Sequence, residues 1–302
     1  MKRPGSRVFV VAPSKINLCL HVGNKQADGY HPIQSLVAFA GFEDAIWLEP
    51  AENFSLTLCG PRRDQVPCGE DNLVLRAARV VARHTGQAHG ARILLQKRIP
   101  VAAGLGGGSA DAAAVMRGLL TLWNLELSRE RLRELASTIG ADVPVCVDSA
   151  SAWMEGRGER VRRVPPLPDM YFLFVNPLVA VSTAAVFGAL RERTGLNLNC
   201  PEEPFARLDS LVEYLQSTRN DLEKPAIEIA PIIAEVLDEL RRLPGVSFAR
   251  MSGSGATCYG MIANHSAAKA PLEILRARHP DWLIWGASLF SAKEVCVPVG
   301  AQ

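Results

Sequence analysis

The chain has 302 residues, of which 48% are hydrophobic and 21% are charged, and its formal net charge at pH 7 is +2. This length fits two domains or one large one, and the composition is that of a folded protein, which excludes an intrinsically disordered chain. A charge so close to neutral, with no run of lysine and arginine interleaved with aromatic residues, argues against a nucleic-acid-binding protein.

The seven cysteines are scattered along the chain, and no pair of them has the spacing of metal ligands. Their odd number and placement predict free thiols in a reducing cytoplasm, and no metal site formed by protein ligands. Residues 1–7 are basic but no long apolar segment follows them, so no secretion signal is predicted. The most apolar stretch, residues 171–190, contains polar residues and a proline, which favours a buried strand, a loop and a helix over a membrane span.

The first predicted strand begins at residue 8 and continues through residues 13–22. From Lys15 onward apolar and polar residues nearly alternate, so Lys15 and Asn17 lie on the same face of the strand. This is also the pattern of a solvent-facing edge strand, on which a lysine is usual. Beside a phosphate site, however, the two residues would supply a point charge and an orienting amide.

A turn at Asp28 and Gly29 is followed by two ring side chains, Tyr30 and His31. Rings at a turn can stack on a planar base or form hydrogen bonds with its edge, as in proteins that read single nucleotides. The alternative is a histidine whose hydrogen bonds are satisfied within the turn. The two residues are therefore candidates for a base-binding site.

Three further strands, at residues 36–48, 54–58 and 91–96, and one helix are predicted before the glycine-rich middle of the chain. The helix begins after Asp71 or Asn72, because both side chains can accept a hydrogen bond from the N–H groups of the first turn. Asn72 therefore has a sufficient structural role as a helix cap. Any contact of Asn72 with a ligand would be an additional role.

A glycine-rich loop follows the last of these strands, with four glycines among residues 104–108. Because glycine has no Cβ, the backbone N–H groups of such a loop can approach a ligand closely. The helix that begins near Ser109 adds unpaired N–H donors and the positive end of its dipole, which favour an anion. No Lys-Ser or Lys-Thr follows the glycines, and the spacing is not that of a dinucleotide-binding loop. The loop is interpreted as a phosphate cradle, with an ordinary glycine-rich turn as the alternative.

Two acidic residues follow the glycines. Asp111, in the first turn of the helix, would repel phosphate if it faced the loop, so its side chain is expected to point outward, where its charge favours the helix dipole. Asp142 comes just after a second helix, which opens at Ser128, and precedes an apolar segment predicted as a strand. It could simply close a turn. Pointing back toward the cradle, it would be a candidate base or orienting group for a hydroxyl that attacks a γ-phosphate.

The second half of the chain is separated from the first by a proline-rich stretch at residues 164–169. This stretch predicts a boundary between two domains, residues 1–165 and 166–302. Just before it, Arg157 belongs to the densest basic patch, which is interpreted as the solvated side of a hairpin. Strands and helices alternate in both halves without a long series of βαβ units, which predicts an α+β fold. The predicted elements of the second half are a strand at 171–175, a helix at 183–190, a helical region from 220 interrupted by two prolines, a glycine turn at 252–257 and a strand at 258–262.

Three separated motifs resemble those of the GHMP kinase superfamily, which includes galactokinase and homoserine, mevalonate and phosphomevalonate kinases; they lie at residues 13–17, 100–114 and 251–256. The resemblance covers nearly the whole chain. It is strongest to one branch, whose substrate is a polyol linked to cytidine diphosphate, and the Asp-Gly-Tyr-His and Ala-Asp-Val-Pro elements discriminate that branch from the others. The elements that carry this match are Ala-Asp-Gly-Tyr-His at 27–31, Gly-Leu-Gly-Gly-Gly-Ser at 104–109, Ala-Asp-Val-Pro at 141–144 and Asn-Asp-Leu-Glu at 220–223.

The resemblance implies a two-domain GHMP kinase fold with the site between the domains. The N-terminal domain would be like the second domain of ribosomal protein S5, and the C-terminal domain would be ferredoxin-like. The implied activity is ATP-dependent phosphorylation of the 2-hydroxyl of a methylerythritol moiety, in the non-mevalonate route to isoprenoid precursors. Mg²⁺ would bridge the ATP phosphates, and the protein would act as a monomer or a homodimer, with ATP and a small-molecule substrate as its partners.

The resemblance also assigns roles to residues. Lys15 and Asp142 match the catalytic pair, in which the aspartate orients or deprotonates the hydroxyl and the lysine keeps it ionised. Val37 stands where some members carry an aromatic residue near the substrate. The implied ATP-binding residues are Pro100, Val101, Ala102, Ala103, Gly104, Leu105, Gly106, Gly107, Gly108, Ser109 and Ala110 around the phosphates, with Asn72 and Lys97 near the adenine or its sugar. The implied substrate-binding residues are Asn17, Tyr30, His31, Phe187, Gly253 and Gly255.

Three alternatives remain at this stage. Another kinase on the same scaffold, such as mevalonate or homoserine kinase, has no cytosine to bind and gives Tyr30 and His31 no purpose. A catalytically silent relative that binds ligand as a regulator has no reason to keep both Lys15 and Asp142. A nucleic-acid-binding protein, suggested by the ribosomal-protein-like half, conflicts with the near-neutral charge.

Overall fold

The computed structural model describes residues 7–67, 69–191, 195–291 and 296–298. The strands, in chain order, are β1 (Val8–Asn17), β2 (His21–Val22), β3 (Ile33–Ala51), β4 (Ser55–Cys59), β5 (Gly90–Gln96), β6 (Ala152–Gly156), β7 (Arg160–Arg163), β8 (Tyr171–Asn176), β9 (Phe248–Met251), β10 (Cys258–Ile262), β11 (Leu283–Ser288) and β12 (Cys296–Pro298). The helices are α1 (Leu73–Thr85), α2 (Gly107–Trp123), α3 (Arg129–Ser137), α4 (Val143–Cys146), α5 (Thr183–Gly188), α6 (Leu208–Gln216), α7 (Glu223–Ile229), α8 (Ile232–Arg242) and α9 (His265–Arg278), with a short 3-10 helix at Arg63–Gln65.

The first sheet is built around its two longest strands, β1 and β3, which pair with each other. Its strand order is β12-β1-β3-β5-β4, while β2 and β6 also pair with β3, and β7 pairs with β6. The pairing of β4 with β5 is parallel and the other pairings are antiparallel. Because β12 pairs with β1, the last described segment of the chain returns to the N-terminal sheet.

Helix α2 packs against β1 and β3, and α1 packs against α2. The buried face of α2 carries small residues, including four alanines at positions 110 and 112–114. At Gly118 a Cβ would lie only 2.1 Å from Cδ1 of Leu48, so this close approach of helix and strand requires glycine. At the start of the helix, a Cβ on Gly106 would lie 3.1 Å from Cβ of Lys15, so the N-terminus of α2 lies over β1.

The second sheet has four antiparallel strands in the order β11-β8-β10-β9. Helix α8 packs on β9 and β10, and α9 packs on β8 and β11. Residues 164–170, between β7 and β8, form neither helix nor strand. Two sheets, each with its own helices, confirm the predicted α+β class, while a domain boundary at residue 165 stays a prediction.

One predicted strand is wrong. The apolar segment after Asp142 forms the short helix α4, with Asp142 at its N-cap position. Pro144 stands in the first turn, where the ring fixes a helical φ and the missing N–H would have no partner within the helix. A short apolar run fits either a strand or a buried helix, and here the proline decides in favour of the helix.

The structure also bears on the cysteines and on membrane insertion. Cys68 and the side chain of Cys296 lie outside the described residues, and the other five cysteines are free thiols, as predicted. Across the described ranges, none of the helices combines the length and the apolar character needed to cross a bilayer.

A buried histidine makes the stability of the fold depend on pH. His21 is buried on β2, and its Nε2 accepts a hydrogen bond from the backbone N–H of Arg219 at 3.2 Å. Burial, assisted by the charge of Arg219, lowers the pKa of His21 from 6.5 to about 4. The folded-state pKa is thus below the unfolded value, so this contribution to stability is present above pH 6.5 and is lost as the pH falls toward 4.

We expect His21→Gln, which keeps an acceptor near the Nε2 position but does not titrate, to flatten this dependence. Between pH 6.5 and pH 4 the wild-type protein would lose up to about 3 kcal/mol of unfolding free energy more than the variant. Urea unfolding of both proteins across this interval measures the difference. Parallel curves would show that His21 does not titrate with folding.

Candidate active site

A single cavity of about 1040 Å³ brings the three separated motifs together. Its walls come from β1, the glycine-rich loop, the start of α2, helix α5 and the glycine turn after β9. Leu105, Ala110 and Gly255, from the predicted sets, are not part of its lining. The predicted site residues that do line it are Lys15, Asn17, Tyr30, His31, Asn72, Lys97, Pro100, Val101, Ala102, Ala103, Gly104, Gly106, Gly107, Gly108, Ser109, Asp142, Phe187 and Gly253.

Lys15 and Asp142 form an ion pair in this cavity, with 2.8 Å between Nζ and Oδ2. The lysine side chain is 4% exposed, whereas that of Asp142 is 38% exposed and therefore open to a ligand. The lysine side chain lies beneath the glycine-rich loop, because a Cβ added to Gly106 would be 3.1 Å from Cβ of Lys15. Its backbone N–H also donates to the carbonyl of Leu105 at 2.8 Å. The carboxylate of Asp142 thus faces the cavity with the buried ammonium group of Lys15 beside it.

The glycine-rich loop is held against the glycine turn after β9. Gly104 has a φ of +75°, and a Cβ there would lie 2.2 Å from the carbonyl oxygen of Ser252, so glycine is required for both reasons. The hydroxyl of Ser252 donates to the carbonyl of Gly104 at 2.8 Å, and the N–H of Thr257 donates to that of Ala103 at 3.3 Å. The two turns, far apart in sequence, therefore form one rigid floor.

Helix α2 begins at Gly107 without a side-chain cap, because Gly106 holds the N-cap position in a left-handed conformation. The first hydrogen bond of the helix is donated by the N–H of Ala110 to the carbonyl of Gly106. The N–H groups of residues 107–109 therefore have no partner within the helix, and these residues line the cavity. With the dipole of a helix of 17 residues behind them, they form an arrangement that suits an anion.

The expectation that Asp111 points outward is wrong. Asp111 is buried, and its Oδ2 accepts a hydrogen bond from Nζ of Lys97 at 2.7 Å. The same ammonium group also pairs with buried Asp44. Burial raises the pKa of Asp111 to about 8. The charge of Lys97 opposes this rise only in part, and the nearby charge of Asp44 adds to the rise. Burial also disfavours the charge of Lys97, but the two carboxylates outweigh it and raise the pKa of the lysine.

Asp44 also fixes the entry to the loop, since its Oδ1 accepts hydrogen bonds from the N–H groups of Arg98 at 2.5 Å and Ile99 at 3.0 Å. The buried ion cluster of Asp44, Lys97 and Asp111 therefore clamps both ends of the phosphate loop. Sequence reasoning missed Asp44, which stands 53 positions from Lys97 in a strand with no motif around it. Only the pairing of β3 with β5 brings the two together.

Asn72 is confirmed as the cap of α1, accepting from the N–H of Val74 at 2.8 Å. Its Nδ2 donates to the carbonyl of Pro67 at 2.6 Å, so both ends of the amide are engaged within the protein. The ammonium group of Lys97 is likewise engaged by two carboxylates. Contacts of Asn72 and Lys97 with the adenine or its sugar stay predictions.

The ring residues gather at the other end of the cavity. The rings of His31 and Phe187 meet with centroids 5.7 Å apart. Nδ1 of His31 lies 2.9 Å from the carbonyl oxygen of Gly23, which can only accept, so Nδ1 carries the proton and Nε2 is free to accept from a ligand. Tyr30 is 54% exposed, with the guanidinium of Arg157 4.4 Å from its ring centre. This end of the cavity suits a planar ring that donates a hydrogen bond.

Arg157 and Val37 differ from what their sequence context indicated. Arg157 reaches the cavity wall and pairs with Asp28, although its hairpin was interpreted as a solvated surface. Only its contact with the turn before β3, over a hundred residues away in sequence, reveals this position. Val37 is fully buried in the core and does not line the cavity, so the absence of an aromatic there removes no part of the wall.

Two hydroxyl groups at the cavity wall were also missed. Oγ1 of Thr183, in α5, lies 2.9 Å from Oγ of Ser254 in the glycine turn after β9. The contact ties the helix that carries Phe187 to the floor of the site. Within the described part of the chain, no group of three or more histidine, cysteine, aspartate or glutamate side chains is placed to hold a metal ion.

Comparison with known proteins agrees with this geometry. The family model for the GHMP kinases N terminal domain matches residues 72–150, and that for the GHMP kinases C terminal domain matches residues 199–281. The 4-diphosphocytidyl-2-C-methyl-D-erythritol kinase of Paramagnetospirillum magneticum is 46% identical over 292 residues, covering 93% of this chain and 98% of the relative. The kinase of the same name from Ruegeria pomeroyi is 48% identical over 274 residues, covering 90% and 95%.

Solved structures agree as well. A crystal structure of 4-(cytidine 5'-diphospho)-2C-methyl-D-erythritol kinase superposes with a TM-score of 0.74 at 35% identity, covering 94% of this chain and 99% of that one. Homoserine kinase from Cytophaga hutchinsonii gives a TM-score of 0.70, with 96% of each chain covered, but at 15% identity it shows the fold alone.

The fold, the anion site at α2 and the two matching domains define a GHMP kinase, a phosphotransferase that uses ATP. Within that class, the identity to curated relatives over nearly the whole chain shows that it belongs to the 4-diphosphocytidyl-2-C-methyl-D-erythritol kinase family.

Proposed function

We propose that this protein transfers the γ-phosphoryl group of ATP to the 2-hydroxyl of 4-diphosphocytidyl-2-C-methyl-D-erythritol, giving the 2-phosphate and ADP in the non-mevalonate pathway. The observation that carries the proposal is the convergence in one cavity of an ion-paired carboxylate, an anion site and a ring pair. The ion-paired carboxylate suits phosphoryl transfer to a hydroxyl, the anion site suits a nucleoside triphosphate, and the ring pair suits the cytosine.

In this proposal Asp142 accepts the proton of the 2-hydroxyl as its oxygen forms a bond to the γ-phosphorus and the bond from that phosphorus to the β–γ bridging oxygen breaks. Lys15 forms an ion pair with Asp142 at 2.8 Å and offsets the negative charge on the phosphoryl group as it is transferred. The open face of Asp142 allows a hydroxyl to reach it, whereas buried Lys15 acts through its charge.

The unpaired N–H groups of Gly107, Gly108 and Ser109 would bind the ATP phosphates. Mg²⁺ would enter with ATP and supply charge neutralisation between its phosphate oxygens, as it usually does with few protein ligands. The hydroxyl of Ser109 and the carboxylate of Asp142, which both line the cavity, are oxygens that could contact the Mg²⁺ ion.

The cytosine would stack in the ring cluster and donate its exocyclic amino group to Nε2 of His31. The proton on Nδ1, fixed by the carbonyl of Gly23, is what leaves Nε2 available. The protein would act as a monomer or a homodimer. We place the reaction in the cytoplasm, where the five described free thiols would stay reduced.

Phe187→Ala should raise KM for the cytidine-linked substrate about tenfold or more, because stacking on an aromatic ring contributes about 1–3 kcal/mol per base. KM for ATP should change little, since Phe187 lies at the end of the cavity formed by His31. Phe205→Ala, at a ring that packs on Tyr214 away from this cavity, is the matched control. Equal KM values for the Phe187 variant and wild type would remove the ring from the cytosine site.

The position of the phosphate in the product tests the proposal. Carbon 2 of the substrate is tertiary, so a phosphate on its hydroxyl has no neighbouring proton and gives a ³¹P signal without three-bond coupling to hydrogen. We expect this signal, together with ADP, after incubation with Mg-ATP and 4-diphosphocytidyl-2-C-methyl-D-erythritol. A coupled signal from another hydroxyl, or no substrate-dependent product, would contradict the proposed reaction.

A further inference from the structure

The Asn-Asp-Leu-Glu motif at residues 220–223 contacts the glycine turn that follows β9. Its first residue, Asn220, is buried and does not line the cavity. Nδ2 of Asn220 donates to the carbonyls of Met251 at 2.9 Å and Gly253 at 2.8 Å, and Oδ1 accepts from the N–H of Leu222 at 3.0 Å. Because a carbonyl can only accept, these partners fix the orientation of the amide, and both protons of Nδ2 are used.

The backbone around Asn220 is attached to the first sheet. The N–H of Leu20, between β1 and β2, donates to the carbonyl of Arg219 at 2.9 Å, and the N–H of Asp221 donates to the carbonyl of Leu20 at 2.9 Å. The amide of Asn220 therefore projects from a backbone that is joined to the strand carrying Lys15.

The glycine turn depends on such a support for its shape. Gly253 and Gly255 have φ values of +57° and +86°, and a glycine backbone adopts positive and negative φ about equally readily. A peptide unit in the turn can therefore rotate unless its carbonyl is held. Any rotation would act on the phosphate loop, because a Cβ on Gly253 would lie 3.1 Å from the carbonyl oxygen of Gly104.

The hydrogen bond to Asn220 also sets which side of one peptide unit faces the cavity. The peptide between Gly253 and Ser254 is trans, so its carbonyl and its N–H point in opposite directions. The carbonyl points to Asn220, outside the cavity, whereas Gly253 and Ser254 both line it. Among the described residues, the N–H of Ser254 has no hydrogen-bond acceptor. An unpaired donor at the wall favours an oxygen of a ligand.

We propose that Asn220 is a positioning residue that keeps the carbonyl of Gly253 out of the cavity and directs the N–H of Ser254 toward the oxygens of the phosphoryl group that leaves ATP. Without the two donors of Asn220, the peptide would turn over and set a carbonyl oxygen against an anion, which is repulsive. The inference rests on the proposed function, because that function supplies the phosphoryl group. Asn220 touches no ligand and acts only through the turn.

Asn220→Asp tests this role, because the carboxylate has the size of the amide and still accepts from Leu222 but cannot donate. We expect kcat to fall about 10²-fold, the effect of losing one donor aimed at developing charge. KM for the cytidine-linked substrate should change little, since the ring pair of His31 and Phe187 is untouched. A protonated carboxyl regains one donor, and burial raises the pKa of the introduced group, so the ratio of variant to wild-type kcat should rise as the pH falls from about 8 to about 6.

Asn264→Asp is the matched control. Asn264 is the exposed cap of α9 and only accepts, from the N–H of Ala267 at 3.0 Å, so an aspartate serves equally well and should keep wild-type kinetics at every pH. Asn220→Ala removes the donors without adding a charge. It serves if Asn220→Asp fails to fold, and its loss of kcat should not depend on pH.

A wild-type kcat in Asn220→Asp or Asn220→Ala would overturn the positioning role, as would a ratio for Asn220→Asp that stays constant with pH. A wild-type protein without turnover of the cytidine-linked substrate would instead overturn the proposed function.

Discussion

Asp142→Asn is expected to lower kcat about 10²- to 10⁴-fold, the usual contribution of a positioned proton acceptor. The amide has the same shape as the carboxylate but cannot take up the proton of the attacking hydroxyl. It also leaves buried Lys15, 2.8 Å away, without its counter-charge. Because the anion site and the ring cluster are untouched, KM for ATP and for the cytidine-linked substrate should change far less than kcat. Steady-state ADP release measures all three constants.

Asp169→Asn is the control for this variant. Asp169 is an exposed residue of the segment that connects β7 to β8, and it does not line the cavity. It should retain wild-type kinetics. A kcat for Asp142→Asn within about tenfold of wild type would mean that the carboxylate only orients the substrate, because a lost proton acceptor has a larger effect.

Lys97→Met is expected to lower the free energy of unfolding by about 3–5 kcal/mol, because it leaves the buried carboxylate of Asp44 without its cation and buried Asp111 without its hydrogen-bond donor. Asp44 and Asp111 are both buried, and each pairs with this one ammonium group. The loss should also disorder the start of the phosphate loop, where Asp44 holds two backbone N–H groups. Urea unfolding monitored by circular dichroism gives the change in stability.

Asp111→Asn separates loss of the cation from loss of packing, since it keeps the size of the side chain and an acceptor for Lys97 and removes only the ability of this position to ionise. We expect it to be much less destabilising than Lys97→Met, and the double variant Lys97→Met with Asp111→Asn to recover part of the loss. Wild-type stability in Lys97→Met would show that the ion cluster does not clamp the loop.

Much of the fold follows from local patterns. The sequence predicts a helix capped by Asp71 or Asn72 and another that opens at Ser128, and the side chains of Asn72 and Ser128 each accept a first-turn N–H as a cap does. The glycine-rich loop could be interpreted from sequence because the need for a residue without Cβ is local, as at Gly104. Alternation on β1 likewise placed Lys15 and Asn17 on one face. These features depend on neighbours within a few residues.

What the sequence could not supply depends on contacts between distant segments. The inward position of Asp111 requires Lys97 and Asp44 to meet it, and only the sheet brings Asp44 there. The orientation of the Asn220 amide depends on the carbonyls of Met251 and Gly253, which lie 31 and 33 positions away in the sequence. Local charge patterning gives no information about such partners, and for Asp111 it favoured the wrong face.

The most direct test of the account compares acceptors for the same enzyme. Purified wild-type protein with Mg-ATP is given 4-diphosphocytidyl-2-C-methyl-D-erythritol, mevalonate or homoserine, and ADP release is followed. The ring pair of His31 and Phe187 predicts a kcat/KM for the cytidine-linked substrate at least about 10²-fold above the other two, and inhibition of that reaction by CMP. Comparable or faster turnover of mevalonate or homoserine, with no effect of CMP, would keep the kinase fold but contradict the cytosine site.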